Sequence, residues 1–91
     1  WQEGPCENIL IDIYPNPAVN WLNTTIVTKF ESNVNLYIFD RNGNIYYYDY
    51  LTTVTNSTLI IPVNGFDYGL YVVMAESNGD VQLSKFIKWY E

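Results

Sequence analysis

The sequence predicts an all-β fold, an antiparallel β-sandwich of about seven strands. Three observations predict it. Apolar residues recur with period two, and no stripe at i, i+3, i+4, i+7 survives a count. Aromatic residues make up 18% of the chain, with nine tyrosines, and aromatic side chains pack well on a pleated surface. Turn signals punctuate the alternation every few residues, as in packed antiparallel sheets.

The first strand is "ILIDIY" (9–14), which runs into "YPNP". Proline has no N–H for a ladder, and it pushes the residue before it toward extended backbone. Pairing therefore stops at Pro15, and Pro15 and Pro17 build a stiff corner. "LNTTIVTKF" (22–30) and "NVNLYIF" (33–39) follow, joined by the polar "FESN". Next come "IYYYDYL" (45–51), "STLIIPV" (57–63), "GLYVVMAE" (69–76) and "VQLSKFIKWY" (81–90). "DRNGN" (40–44) and "SNGD" (77–80) carry Asn-Gly, which accepts the positive φ of a tight hairpin. "TVTNS" (53–57) is a polar connection and "VNGFDYG" (63–69) a longer one.

Alternation places Val34, Leu36 and Ile38 on one face, Leu59, Ile61 and Val63 on another, with Tyr71 and Val73 joining them in the core. Ile26 shares its face with Thr24 and Thr28, and the threonines are left out of the core. Residues 1–8 read as an N-terminal extension or linker, and 9–91 as a single domain. In "FDYGLY" (66–71) the spacing resembles the tyrosine corner of immunoglobulin-like sandwiches. There the phenol bonds back to backbone a few residues upstream, so Tyr71 is expected to be structural.

Composition excludes several functions. The net charge is −6, with four Lys plus Arg and no His. This is neither a nucleic-acid footprint nor a polybasic membrane patch. Without His there is no Ser–His or Cys–His pair, and one cysteine, Cys6, makes neither an internal disulfide nor a zinc cluster. No glycine-rich phosphate loop is present. The acids are scattered rather than paired, so no catalytic constellation, cofactor site or metal site is expected. The longest strongly apolar run, "LIIPV", is too short to span a bilayer, and "WQEGPCEN" has no signal-peptide character. Asp40, Asn42 and Asn44 alternate as calcium ligands would, but Gly43 and Leu51 stand where an EF-hand loop does not want them. The segment reads as a turn capped by its own side chains. "NTT" (23–25) and "NST" (56–58) match glycosylation acceptors, which matter only in a host with that machinery.

"IYYYDY" raises a different possibility. Tyr46, Tyr48 and Tyr50 share one face, with Ile45, Tyr47 and Leu51 on the other. Tyr37 and Phe39 lie opposite the aliphatic set of their own strand. The tyrosines are either an exposed ligand face for glycan or protein, or a cross-strand aromatic ladder.

Four motifs in order carry a family resemblance: "IDIYPNPAVNWLN", "VNLYIFDRNGNIYY", "LIIPVNGFDYGLYVVMAES" and "NGDVQLSKFIK". Together they cover about residues 9–88. The chain resembles a C-terminal sorting domain of the Bacteroidetes type IX secretion system, type A-like, the Por secretion tail. The resemblance implies a seven-stranded immunoglobulin-like sandwich at the C-terminus of an exported cargo. It would pass through the periplasm to the cell surface or medium. The implied partners are an outer-membrane translocon and a sortase-like peptidase. By motif match the sorting residues would be Tyr14, Pro15, Asn16, Pro17, Asp40, Gly43, Gly69, Tyr71, Lys85 and Lys88, none of them catalytic. The alternative is a small stand-alone secreted sandwich that binds glycan or protein through Tyr37, Tyr46, Tyr48 and Tyr50.

Overall fold

A computed structural model describes residues 9–89. Cys6 and the 1–8 segment lie outside them. The described chain forms five antiparallel strands: β1 (Ile9–Tyr14), β2 (Trp21–Asp40), β3 (Ile45–Pro62), β4 (Gly69–Ser77) and β5 (Asp80–Lys88). The all-β expectation holds, but the count is five rather than seven. The sequence reading divided β2 at "FESN" and β3 at "TVTNS". Neither polar stretch ends its strand. Both lie within continuous strands, and the β2–β3 register slips between Val27 and Ser32 and again before Val34. Such irregularities bend a strand pair without breaking it. Thr53 takes up part of the bend at a φ of 51°.

The bend divides one hydrogen-bonded sheet into two halves. In the first, residues 23–28 of β2 pair with β1 on one side and 21–27 pair with 56–62 of β3 on the other. In the second, 35–40 of β2 pair with β4, 34–39 pair with 45–51 of β3, and β5 completes the sheet beyond β4. Ile9, Leu22, Ile26 and Ile61 from the first half join Leu36, Ile38, Val73 and Phe86 from the second in one buried cluster. Both halves therefore contribute to one core. β1 also lies against β5 without pairing to it, while β3 forms its ladder with β2.

The expected core set holds with two corrections. Val34, Leu36, Ile38, Ile61, Val63, Tyr71 and Val73 are buried, and Leu59 packs against them half-buried. Thr24 and Thr28, left out of the core above, are inside it. Alternation fixes their face whatever their polarity, because Leu22 and Ile26 point inward on the same strand. Thr28 compensates by donating to the Val54 carbonyl at 2.7 Å, whereas the Thr24 hydroxyl has no partner among the described residues. Ile45 is the second correction. It does not share the inward face of Tyr47 and Leu51 but is 61% exposed. The register slips between Ile38 and Phe39, so that Ile45 pairs with Phe39, Tyr47 pairs with Ile38, and Tyr46 becomes the extra residue.

The tight turns follow their sequence signals. Asn78 and Gly79 join β4 to β5 with φ of 52° and 88°. Positive φ at both central residues is the hairpin geometry that Asn-Gly favours.

Candidate functional site

All the chain-crossing connections except the Asn78–Gly79 hairpin gather at the pole opposite the bend. The first is the proline corner. β1 ends at Tyr14, paired with Asn23, and the chain crosses to the edge of β5 before returning as β2. Both prolines follow cis peptide bonds. Pro15 and Pro17 have no N–H, so the backbone here has little to offer a neighbouring strand. The Asn16 side chain supplies what is missing. Its Oδ1 accepts from the Ile87 N–H at 2.9 Å, and its Nδ2 donates to the Lys85 carbonyl at 3.4 Å. Ala18 then makes true ladder contacts: its N–H donates to Ile87 and its carbonyl accepts from Trp89, both at 2.8 Å.

The next connection along this pole is the β2–β3 turn. Asp40 organises it with one carboxylate, accepting from the Asn42 and Asn44 backbone N–H groups at 2.9 Å each and from Asn44 Nδ2 at 3.0 Å. Gly43 takes the positive φ of 88° that closes the turn. The bond from the Asn44 side chain, helped by the turn's backbone N–H groups, holds the Asp40 carboxyl below its usual pKa.

The third element is the tyrosine corner. The Tyr71 hydroxyl donates to the Asp67 carbonyl at 2.7 Å. Its buried ring touches Tyr46, Phe66 and Phe86 at centroid distances of 5.1, 5.2 and 5.5 Å. Burial is the main cause that raises the Tyr71 pKa, with the Tyr46 phenol adding to it. Gly69, two residues earlier, begins β4 at a φ of 148° that a side chain would strain.

Ladder pairing sets these parts side by side. Asn16 and Ala18 lie on the edge of β5 at Lys85–Lys88. Lys88 pairs with Gly69, Tyr71 pairs with Asp40, and Phe39 pairs with Ile45. Four motifs spread from residue 14 to residue 88 thus fall on neighbouring strands at one pole. The rim there also exposes Tyr14, Trp21, Ile45, Ile60, Tyr68 and Trp89.

The two lysines do not form one basic patch. Their spacing of three is odd, so in a strand they face opposite ways. Lys85 points outward, while Lys88 is 6% exposed and donates from Nζ to the Trp89 carbonyl at 3.0 Å.

The tyrosine set is divided as well. Tyr37 and Tyr48 pack at 5.0 Å on the outer face of the second half, and Tyr50 pairs with Asn35 beside them. Tyr46, displaced by the bulge, leans instead on Phe66 and Tyr71. Three polar side chains of the outer face engage one another. Tyr48 donates to Asn35 Oδ1 at 2.8 Å, and Asn35 Nδ2 donates to Glu76 at 2.9 Å. On the inward face, Asp49 accepts from the Tyr47 hydroxyl at 3.2 Å, and burial followed by the Asp49 charge raises the Tyr47 pKa. An inward charge on an edge strand is a device against sheet-to-sheet pairing.

A family model described as the secretion system C-terminal sorting domain matches residues 12–89. The chain belongs to that family. It is a type IX secretion sorting signal by kinship, and the family is a secretion signal rather than a catalytic one. No curated protein matches the chain. The matched span of the sorting domain takes in the proline corner, the Asp40 turn, the tyrosine corner and the last strand. Sequence reasoning found those motifs but not the Asn16–β5 contact. An asparagine between two residues without N–H groups was the available signal. It also missed Asp67, whose backbone carbonyl, not its side chain, receives the Tyr71 bond.

Proposed function

We propose that the pole carrying the four motifs is the surface an outer-membrane translocon reads when it exports this domain with its cargo. One observation supports this most: residues far apart in sequence reach one pole only in the folded domain, so the signal would report folding as well as identity. Tyr14, Pro15, Asn16, Pro17 and Lys85 would be its exposed letters. Asp40, Gly43, Gly69, Tyr71 and Lys88 would hold its shape. The folded-over sheet sharing one core supports an immunoglobulin-like sandwich as that shape. A sortase-like peptidase would later separate the domain from its cargo, at the cell surface or on release to the medium.

The test fuses residues 1–91 to the C-terminus of a periplasmic fluorescent reporter with its own export signal. The host is a Bacteroidetes strain with an intact type IX system, compared with a translocon mutant. The reporter is expected at the surface or in the medium only in the intact strain. Periplasmic retention in both strains, with the domain folded, would sink the proposal.

A further inference from the structure

At the motif pole, a cleft of about 200 Å³ opens between the β2–β3 turn and the 63–68 connection. Tyr46, Tyr68 and Tyr71 line it, along with Asp40, Arg41, Asn42 and Asp67. From these side chains we infer that the cleft binds a single sugar ring.

The argument is one of charge, size and unspent polar groups. Asp40 is committed to three bonds within its own turn. Among the described residues the Arg41 and Asn42 side chains have no hydrogen-bond partner, and the Asp67 carboxylate accepts one long contact, 3.5 Å from the Tyr46 hydroxyl. One guanidinium and one carboxylate therefore keep bonding positions for a ligand, and the lining as a whole, two carboxylates against one guanidinium, turns anions away. At about 200 Å³ it falls below the pockets of drug-sized ligands, roughly 300–1,000 Å³, and suits one ring rather than an extended chain. The Tyr46 and Tyr68 rings are exposed and offer apolar surface, whereas the Tyr71 ring is buried. Carboxylate, guanidinium and amide each match neighbouring hydroxyls, accepting or donating two bonds at once. A hydroxyl-rich ring with one apolar face meets all three conditions. The outer tyrosine face does not, since Tyr48, Asn35 and Glu76 already satisfy one another.

The test is an amide-resolved NMR titration of the full 91-residue chain. The probes are methyl α-mannopyranoside, methyl β-galactopyranoside and N-acetylglucosamine. At least one is expected to give saturable shifts at residues 41–42 and 67–70, with a Kd on the order of 1–10 mM for so small a ligand. Asp67→Ala should weaken it by roughly tenfold, about the value of one charge-assisted hydrogen bond. Arg41→Ala, on the opposite wall, should do the same. Two variants guard against a local fold change in either. The inference fails if no probe gives saturable shifts, if the shifts centre on Tyr37, Tyr48 and Tyr50, or if both variants bind as the parent does. Export plays no part in this measurement, so the sugar site and the sorting role can fail separately.

Discussion

Replacing Asn16 with alanine separates a recognition surface from a stability element. The substitution removes the 2.9 Å bond from the Ile87 N–H and the 3.4 Å donation to Lys85. The second is near the limit of a hydrogen bond and contributes little. The first is one exposed bond whose orphaned N–H can turn to water, so the expected cost is ~1 kcal/mol. A domain of this length is stable by roughly 5–14 kcal/mol. A loss of ~1 kcal/mol lowers the folded-to-unfolded ratio only about fivefold. Even at the low end, nearly every molecule stays folded. Reporter export should nonetheless fall severely, because the segment between the two prolines loses its own tie to β5 and only Ala18, beyond it, still holds the connection there. Asn16→Asp keeps an acceptor for Ile87 and should retain most export. The checks are a urea midpoint at unchanged m-value, read beside surface fluorescence. Normal export of the alanine variant would refute the reasoning. So would a stability loss large enough to explain an export defect by unfolding.

Other outcomes follow from single side chains. Thr24→Val removes the buried hydroxyl that has no partner and keeps the branched shape, so the urea midpoint should rise by the equivalent of ~1 kcal/mol. Tyr71→Phe loses the bond to the Asp67 carbonyl and should cost ~1 kcal/mol. Tyr71→Ala also empties the aromatic cluster and should cost ~3–5 kcal/mol by the same denaturation assay. The folded-state pKa of Asp40 is depressed, so its contribution is present above the unfolded value, ordinarily 3.8, and is lost as pH falls through the lower folded one. Carboxyl NMR should show Asp40 titrating below 3.8, and Asn44→Ala should move it back up.

Period-two alternation made the inward faces legible, and it did so even where chemistry argued otherwise. Thr24 and Thr28 were left out for their hydroxyls, yet the face they share with Leu22 and Ile26 put them in. Strand ends were less legible. "FESN" and "TVTNS" carry the composition of a connection, but adjacent ladders on both sides keep β2 and β3 extended through them with slipped register. Composition cannot distinguish a turn from a bend in a continuing hairpin, because both need small polar residues. The same limit misplaced Ile45, since a one-residue bulge flips everything beyond it. The motifs of the site were readable one by one. Their meeting at a single pole was not, because it depends on the pairing of Lys88 with Gly69 and of Asp40 with Tyr71, which are set by tertiary topology.

That topology gives the domain a direction. Ile9 pairs with Thr28, next to the bend, so β1 enters at the bend and runs toward the motif pole. β5 runs the same way and ends at Lys88 among the motifs. In a sorting domain that follows its cargo, the cargo would therefore hang from the bend, with the length of β1 between it and the four motifs. A six-residue strand spans about 20 Å. The machinery could then engage the motif pole without meeting the cargo, which would let one signal serve cargoes of any shape. The reporter fusion can test this. Exchanging the fluorescent protein for a larger folded one should leave export efficiency unchanged. Inserting a short flexible loop between Gly65 and Phe66, at the motif pole, should abolish it while the fold survives. If the larger cargo blocked export and the loop did not, the signal would lie at the bend, and the assignment of the two poles would be reversed.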